Sequence, residues 1–232
     1  MVLKFKKKKK AFANKRKLIT SADPKSHISE QYRTIRTNIQ FSAVDEDIHS
    51  LMITSAGPEE GKSTTAANLA VVFAQQEKRV LLVDADLRKP TVHYTFNLAN
   101  NLGLTTVLTK QRTLKESLRH TGIEDLSVLT SGPIPPNPAE LIGSKAMKQF
   151  LQEAKEQFDI VIFDTPPTLA VTDAQILANL CEGILLVMYS AKSGIDEVNK
   201  AKELLLKANG KLLGAVLNHK KAQKEDYYYY GG

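Results

Sequence analysis

The run Leu51-Met52-Ile53-Thr54-Ser55-Ala56-Gly57-Pro58-Glu59-Glu60-Gly61-Lys62-Ser63-Thr64 reads as an apolar strand that breaks into a glycine-bearing loop, and Ala66-Ala67-Asn68-Leu69-Ala70-Val71 continues it as a helix. Strand, phosphate loop and helix in this order form an anion site. Successive backbone N–H groups and the unpaired N–H groups of the helix start point at one place, where the helix dipole also favours negative charge. In this pattern the backbone of Gly57, Pro58, Glu59, Glu60, Gly61, Lys62, Ser63 and Thr64 cradles a nucleotide. Gly61 permits close approach, Lys62 reaches the β- and γ-phosphates, and the Ser63 hydroxyl takes a place on Mg²⁺. Ala56 stands where the strict pattern has glycine, at the loop's start, where the departure is tolerable.

Working outward, Val80-Leu81-Leu82-Val83 is an uninterrupted apolar run of the kind buried on both faces of a parallel sheet. It ends in Asp84-Ala85-Asp86-Leu87-Arg88-Lys89-Pro90. A βαβ connection returns this strand parallel to the first, so two carboxylates arrive on the phosphate-loop edge. A second such strand, Asp159-Ile160-Val161-Ile162-Phe163, closes on Asp164. A hydrophobic strand ending in aspartate is the usual second half of a phosphate-loop nucleotidase, where the carboxylate holds Mg²⁺ directly or through water. Helices over about 62–76, 172–180 and 195–208 alternate with further strands at 184–189 and 212–217. The whole reads as a doubly wound α/β fold with a mostly parallel sheet.

The chain has 232 residues, 42% of them hydrophobic, and reads as one domain with tails. Cys181 is the single cysteine, so no internal disulfide forms. With no run of about 18 apolar residues and no signal-like segment, the expected location is cytoplasmic. The net charge of +7 is unevenly placed: nine basic side chains lie within residues 4–17, leaving 23 basic against 25 acidic residues elsewhere. A near-neutral body with a basic arm argues against a nucleic-acid-binding domain.

The expected organisation is a disordered basic arm at 1–24, a domain at 25–218 and a flexible tyrosine-rich tail at 219–232. Lysines in the arm suit an anionic membrane surface or an acidic partner. Ile28, Tyr32, Ile35 and Ile39 recur at helical spacing, so residues 26–41 form an amphipathic helix. Glu30, Arg33 and Arg36 follow one another at steps of three as a neighbouring charged stripe. Little periodicity marks 91–125 beyond a short helix near Thr113 to His120. Four prolines and a glycine make 131–138 an ordered loop. Asn137 then caps a helix that has Pro138 at its first position and runs to about Gln157. Tyr227, Tyr228, Tyr229 and Tyr230, on a charged glycine-ended terminus, cannot all be core.

Taken together, the phosphate loop, the Leu81-to-Pro90 acidic motif, the Asp164 strand, the Gly132-to-Leu141 proline loop, the Glu30-x-x-Arg33-x-x-Arg36 stripe and the tyrosine cluster resemble the bacterial tyrosine kinases of capsule and exopolysaccharide systems. The resemblance covers about residues 25–232. It implies an ATP- and Mg²⁺-dependent protein-tyrosine kinase that autophosphorylates its tail between subunits of a ring, with Glu30, Arg33 and Arg36 at the subunit contact. It further implies a cytoplasmic kinase held at the inner face of the membrane by a separate membrane-anchored activator, and other proteins as tyrosine substrates. In that scheme Lys62 neutralises the transferring phosphate, Mg²⁺ is held by Ser63, Asp86 and Asp164, and Asp84 accepts the phenol proton. The sequence alone allows Asp84 and Asp86 the reverse assignment. A MinD- or ParA-like membrane-associated switch ATPase shares the fold. Those proteins usually carry a second lysine where this chain has Gly57, and the tyrosine cluster has no purpose in that reading.

Overall fold

A computed structural model describes residues 18–42 and 47–220. The lysine run of the arm and the four tail tyrosines lie outside the described residues. Among the described residues the chain runs α1 (Ile19–Ala22), α2 (His27–Phe41), β1 (Ser50–Ser55), α3 (Lys62–Ala74), β2 (Val80–Asp84), α4 (Val92–Phe96), α5 (Leu104–Leu108) and α6 (Leu114–Ser117). It continues with β3 (Arg119–His120), β4 (Leu126–Leu129), α7 (Pro138–Ile142), α8 (Lys145–Gln157), β5 (Ile160–Asp164), α9 (Asp173–Ala178), β6 (Gly183–Tyr189), α10 (Ile195–Lys207) and β7 (Leu212–Asn218).

The strands form one sheet in the order β3-β4-β2-β5-β1-β6-β7. Every pairing is parallel except that of the short edge strand β3 with β4. β1, β2 and β5 are buried along their whole length, as their continuous apolar runs require. Successive side chains point to opposite faces, so each strand feeds two cores. Met52, Leu81, Val83 and Phe163 meet α5, α8 and α9 on one face, and Leu51, Ile53, Leu82 and Ile162 meet α3 on the other. α3 itself is apolar nearly all round because it lies between the sheet and α2.

α2 begins at His27, one residue inside the expected helix, and is capped by Ser26, whose side chain accepts a bond from Ser29 N. Its buried face runs through Ser29, Tyr32, Arg36 and Ile39, while Ile28 is 51% exposed. Arg36 therefore does not sit on an outward charged stripe. Its stem lies on α3 and its guanidinium donates to the Val72 carbonyl in the last turn of that helix, where the dipole favours a cation. Glu30 and Arg33 stay outward and pair at 2.7 Å, with Arg33 also donating to Pro24 O.

Three further expectations change. The arm does not extend to residue 24: α1 occupies 19–22, and buried Thr20 bonds the Asn68 side chain at 2.9 Å. The single helix expected from Pro138 to Gln157 is two, because Gly143 ends α7 and the Ser144 hydroxyl caps α8 by accepting from Met147 N. Asn137 precedes α7 but does not cap it; its amide donates to the Glu140 carboxylate instead. The weakly periodic 91–125 region holds α4, α5 and α6. Its Asn100 fastens the proline loop, accepting from Gly132 N and donating to Gly132 O.

Candidate active site

The sheet order skips from β1 outward to β2 and later returns β5 between them, so the carboxyl ends of β1, β2 and β5 meet at a topological switch point. β1 delivers the phosphate loop there, β2 delivers Asp84 and β5 delivers Asp164. Asp84 and Asp164 are register partners across the β2–β5 pair.

The loop is held from within and from behind. The Ser55 hydroxyl donates to Gly57 O at 2.7 Å, and the buried Glu60 carboxylate accepts from Gly57 N at 3.0 Å. Glu59 and Gly61 both have left-handed backbones, with φ of 62° and 97°. A side chain at Gly61 would bring its Cβ 1.9 Å from Asn218 Nδ2, so glycine is needed there on two counts. Pro58 and Glu59 are exposed at the tip, whereas Lys62 and Ser63, which open α3, are buried. Thr64 is half-buried in the same turn.

Lys62 lies among carboxylates. Its Nζ is 3.2 Å from Asp86 Oδ2, 3.5 Å from Asp164 Oδ1 and 3.3 Å from Ser63 Oγ. Burial disfavours its charge, but Asp164, Asp86 and Asp84 together hold the ammonium above its ordinary pKa. Asp86 is oriented by Lys89 N, which donates to Oδ1 at 3.0 Å. Asp84 spends Oδ2 on two backbone bonds, from Thr91 N and Val92 N at the start of α4, each 2.9 Å. Its Oδ1 is buried with no hydrogen-bond partner among the described residues. Burial first, and the Asp164 carboxylate second, push Asp84 up to about 8. Behind this group Arg88 bridges to buried Asp173 through two bonds of 2.9 Å, tying the acidic motif to α9.

The residues fit a magnesium–nucleotide. The space between Asp86 and Asp164 already accepts one cation, the Lys62 ammonium, and Ser63 Oγ adjoins it. No cluster of three or more His, Cys, Asp or Glu groups forms a protein metal cage among the described residues. Oxygen donors from phosphate and water would have to complete the shell, which is the habit of Mg²⁺.

All the sequence-derived groups of the loop and the three aspartates thus converge. Arg36 does not join them and is buried under α2, and Glu30 and Arg33 lie on that helix's outer side. Sequence reasoning missed Ser193 and Asn218, which grip Glu60, and Asp173, which grips Arg88. For Asn218 a signal was present: it ends a strand that, being parallel to the others, finishes on the phosphate-loop edge.

These features define a phosphate-loop nucleotide-binding domain, and residues 52–212 match the family model described as AAA domain. The fold alone is shared with the septum site-determining protein MinD of Pyrococcus horikoshii OT3, solved with Mg-ADP, at a TM-score of 0.64 and 24% identity over 76% of this chain and 72% of that one. Much closer is the tyrosine-protein kinase YwqD of Bacillus subtilis, 58% identical over 93% of this chain and 92% of the relative. The putative tyrosine-protein kinase CapB of Staphylococcus aureus is 47% identical over 90% and 92% of the two chains. The crystal structure of the chimerical protein CapA2B2 superposes with a TM-score of 0.86 at 49% identity, covering 88% of this chain and 90% of that one. The chain belongs to the bacterial tyrosine-protein kinase family, and its enzymatic class is that of a protein-tyrosine kinase.

Proposed function

We propose that the protein is an ATP- and Mg²⁺-dependent kinase that phosphorylates its own tail tyrosines Tyr227, Tyr228, Tyr229 and Tyr230 between subunits, and through them regulates capsule or exopolysaccharide synthesis. The observation that carries this reading is the cluster itself: one lysine at the helix start held between Asp86 and Asp164, with Asp84 beside it and one Asp84 oxygen without a hydrogen-bond partner among the described residues. Bound Mg-ATP supplies the γ-phosphoryl group and a divalent charge. Ser63, Asp86 and Asp164 would hold the metal, and the Lys62 ammonium would neutralise charge on the transferring group. Asp84, fixed through Oδ2 by the start of α4, presents Oδ1 to the acceptor phenol and takes its proton. An ordinary phenol ionises near pH 10, so positioning and the metal's charge would carry most of the activation, with Asp84 relieving the proton as bonding develops.

In this reading the subunits form a ring, with Glu30 and Arg33 at the contact and Arg36 fixing the helix that presents them. A membrane-anchored activator brings the kinase to the inner face of the membrane, and other proteins are phosphorylated on tyrosine. No helix among the described residues is long and apolar enough to cross a membrane. The test is the intact mass of the purified chain, with and without a candidate activator tail, before and after Mg-ATP. Up to four added phosphates, mapped to the tail, are expected. An unchanged mass in the presence of hydrolysed ATP would favour the switch-ATPase reading.

A further inference from the structure

Behind the phosphate loop lies a group of polar contacts that the mechanism does not use. Glu60 is 3% exposed, although it is a carboxylate in a loop built to receive polyphosphate. A carboxylate turned into that loop would compete with phosphate for the same N–H groups and oppose it in charge. Its two oxygens are both committed elsewhere than at the helix start: Oε2 accepts from Gly57 N, at the beginning of the loop, and Oε1 accepts from the Ser193 hydroxyl in the loop between β6 and α10. Ser193 has no choice in this. Its oxygen already accepts from Tyr189 N at 2.7 Å, so its single proton is left for Glu60. From the other side the Asn218 side chain donates to Glu60 O at 3.1 Å and fills the space a Cβ on Gly61 would take, while its side-chain carbonyl accepts from His219 N at 2.9 Å.

Glu60 is thus flanked by two left-handed residues, Glu59 and Gly61. Such a backbone persists only when its surroundings over-determine it. The surroundings here come from the last two strands: Ser193 follows β6, and Asn218 ends β7. We propose that Ser193 and Asn218 are positioning residues for nucleotide binding, which hold the Glu60 carboxylate on Gly57 N at the loop's beginning, so that the N–H groups at the start of α3 remain free for the polyphosphate. Neither touches the reacting atoms. Their contribution is to affinity for the nucleotide and not to the transfer step. The inference rests on the reading of this loop as the ATP site.

Calorimetric titration of the full chain with Mg-ADP, and with Mg-ATP in a Lys62-intact background, separates the two ideas. Ser193→Ala is expected to weaken nucleotide binding about tenfold and to raise KM for ATP in step, with kcat for tail phosphorylation within about twofold of the parent. Ser193→Thr, which restores the hydroxyl, is expected to recover affinity to within about threefold. Asn218→Ala, which leaves the hydroxyl relay intact, is expected to weaken binding in the same direction. A lowered melting temperature with Kd unchanged in both alanine variants would make these contacts merely structural and overturn the proposal, as would a fall in kcat at constant Kd. If the parent binds nucleotide but never labels tyrosine, the kinase reading fails while the affinity series still decides this one.

Discussion

Asp84 and Asp164 face each other in register on neighbouring parallel strands, both fully buried, with the Lys62 ammonium as the nearby cation. Two carboxylates so placed cannot both carry charge cheaply, and Asp84 is pushed up.

The pH dependence follows from that shift. An unfolded aspartate titrates near 3.9 and folded Asp84 near 8, so between these values the folded state holds the extra proton. Stability of the nucleotide-free protein therefore falls as pH rises through this window. Asp84→Asn removes the dependence. The variant's advantage in thermal unfolding should widen from pH 5 to pH 8, by a few degrees in Tm. A constant or shrinking gap would mean that Asp84 is ionised in the empty site. The same variant should keep nucleotide binding and lose phosphate transfer.

Lys62→Met should abolish tail phosphorylation, read as an unchanged intact mass. It should also destabilise the empty protein by about 3 kcal/mol or less, because it strips the cation from a buried acidic cluster that protonation of Asp84 partly relieves. The variant also tests the route of transfer. From Asn218 an extended tail reaches at most about 30 Å at Tyr227, enough for a neighbouring subunit. Mixed with a chain whose four tail tyrosines are phenylalanine, the Lys62→Met chain should be labelled. No label in a co-assembled mixture would refute transfer between chains.

Arg33 and Arg36 should separate. Arg33 is partly exposed and paired with Glu30, so Arg33→Ala should cost about 1 kcal/mol or less of stability yet shift the protein to monomer in light scattering. Arg36→Ala should cost about 1–3 kcal/mol, since it removes packing on α3 and the bond to Val72 O. An Arg33→Ala chain that still assembles would move the subunit contact off this helix.

Replacing the nine basic residues between Lys4 and Lys17 with glutamine should shift the protein from membrane pellet to supernatant with its melting temperature unchanged. Each lysine near an anionic surface contributes about 1 kcal/mol. An unaltered distribution would assign retention to the activator alone.

The central strands and the groups of the candidate site were legible because each carries its signal within a few consecutive residues: an apolar run, then a loop or an aspartate. Arg36 misled because helical spacing names a face without saying whether a long cation lies flat on its neighbour. The break at Gly143 was hidden by residues that suit helix on both sides, and only the Ser144 cap marks it. Ser193, Asn218 and Asp173 escaped because their meaning is tertiary. Each is an ordinary polar residue until the sheet order sets it beside Glu60 or Arg88.

The sheet order also has a consequence in time. β1, which launches the phosphate loop, pairs with β5 and β6, and its loop is braced by the final residue of β7. A ribosome adding about 5–20 residues per second leaves that strand without either neighbour for several seconds or more. Nucleotide cannot template the early half of the chain, and a nascent protein halted before β5 exposes β1 as an unpaired apolar edge. Chaperone contact with the growing chain should therefore centre on residues 50–55 and end once β6 has emerged.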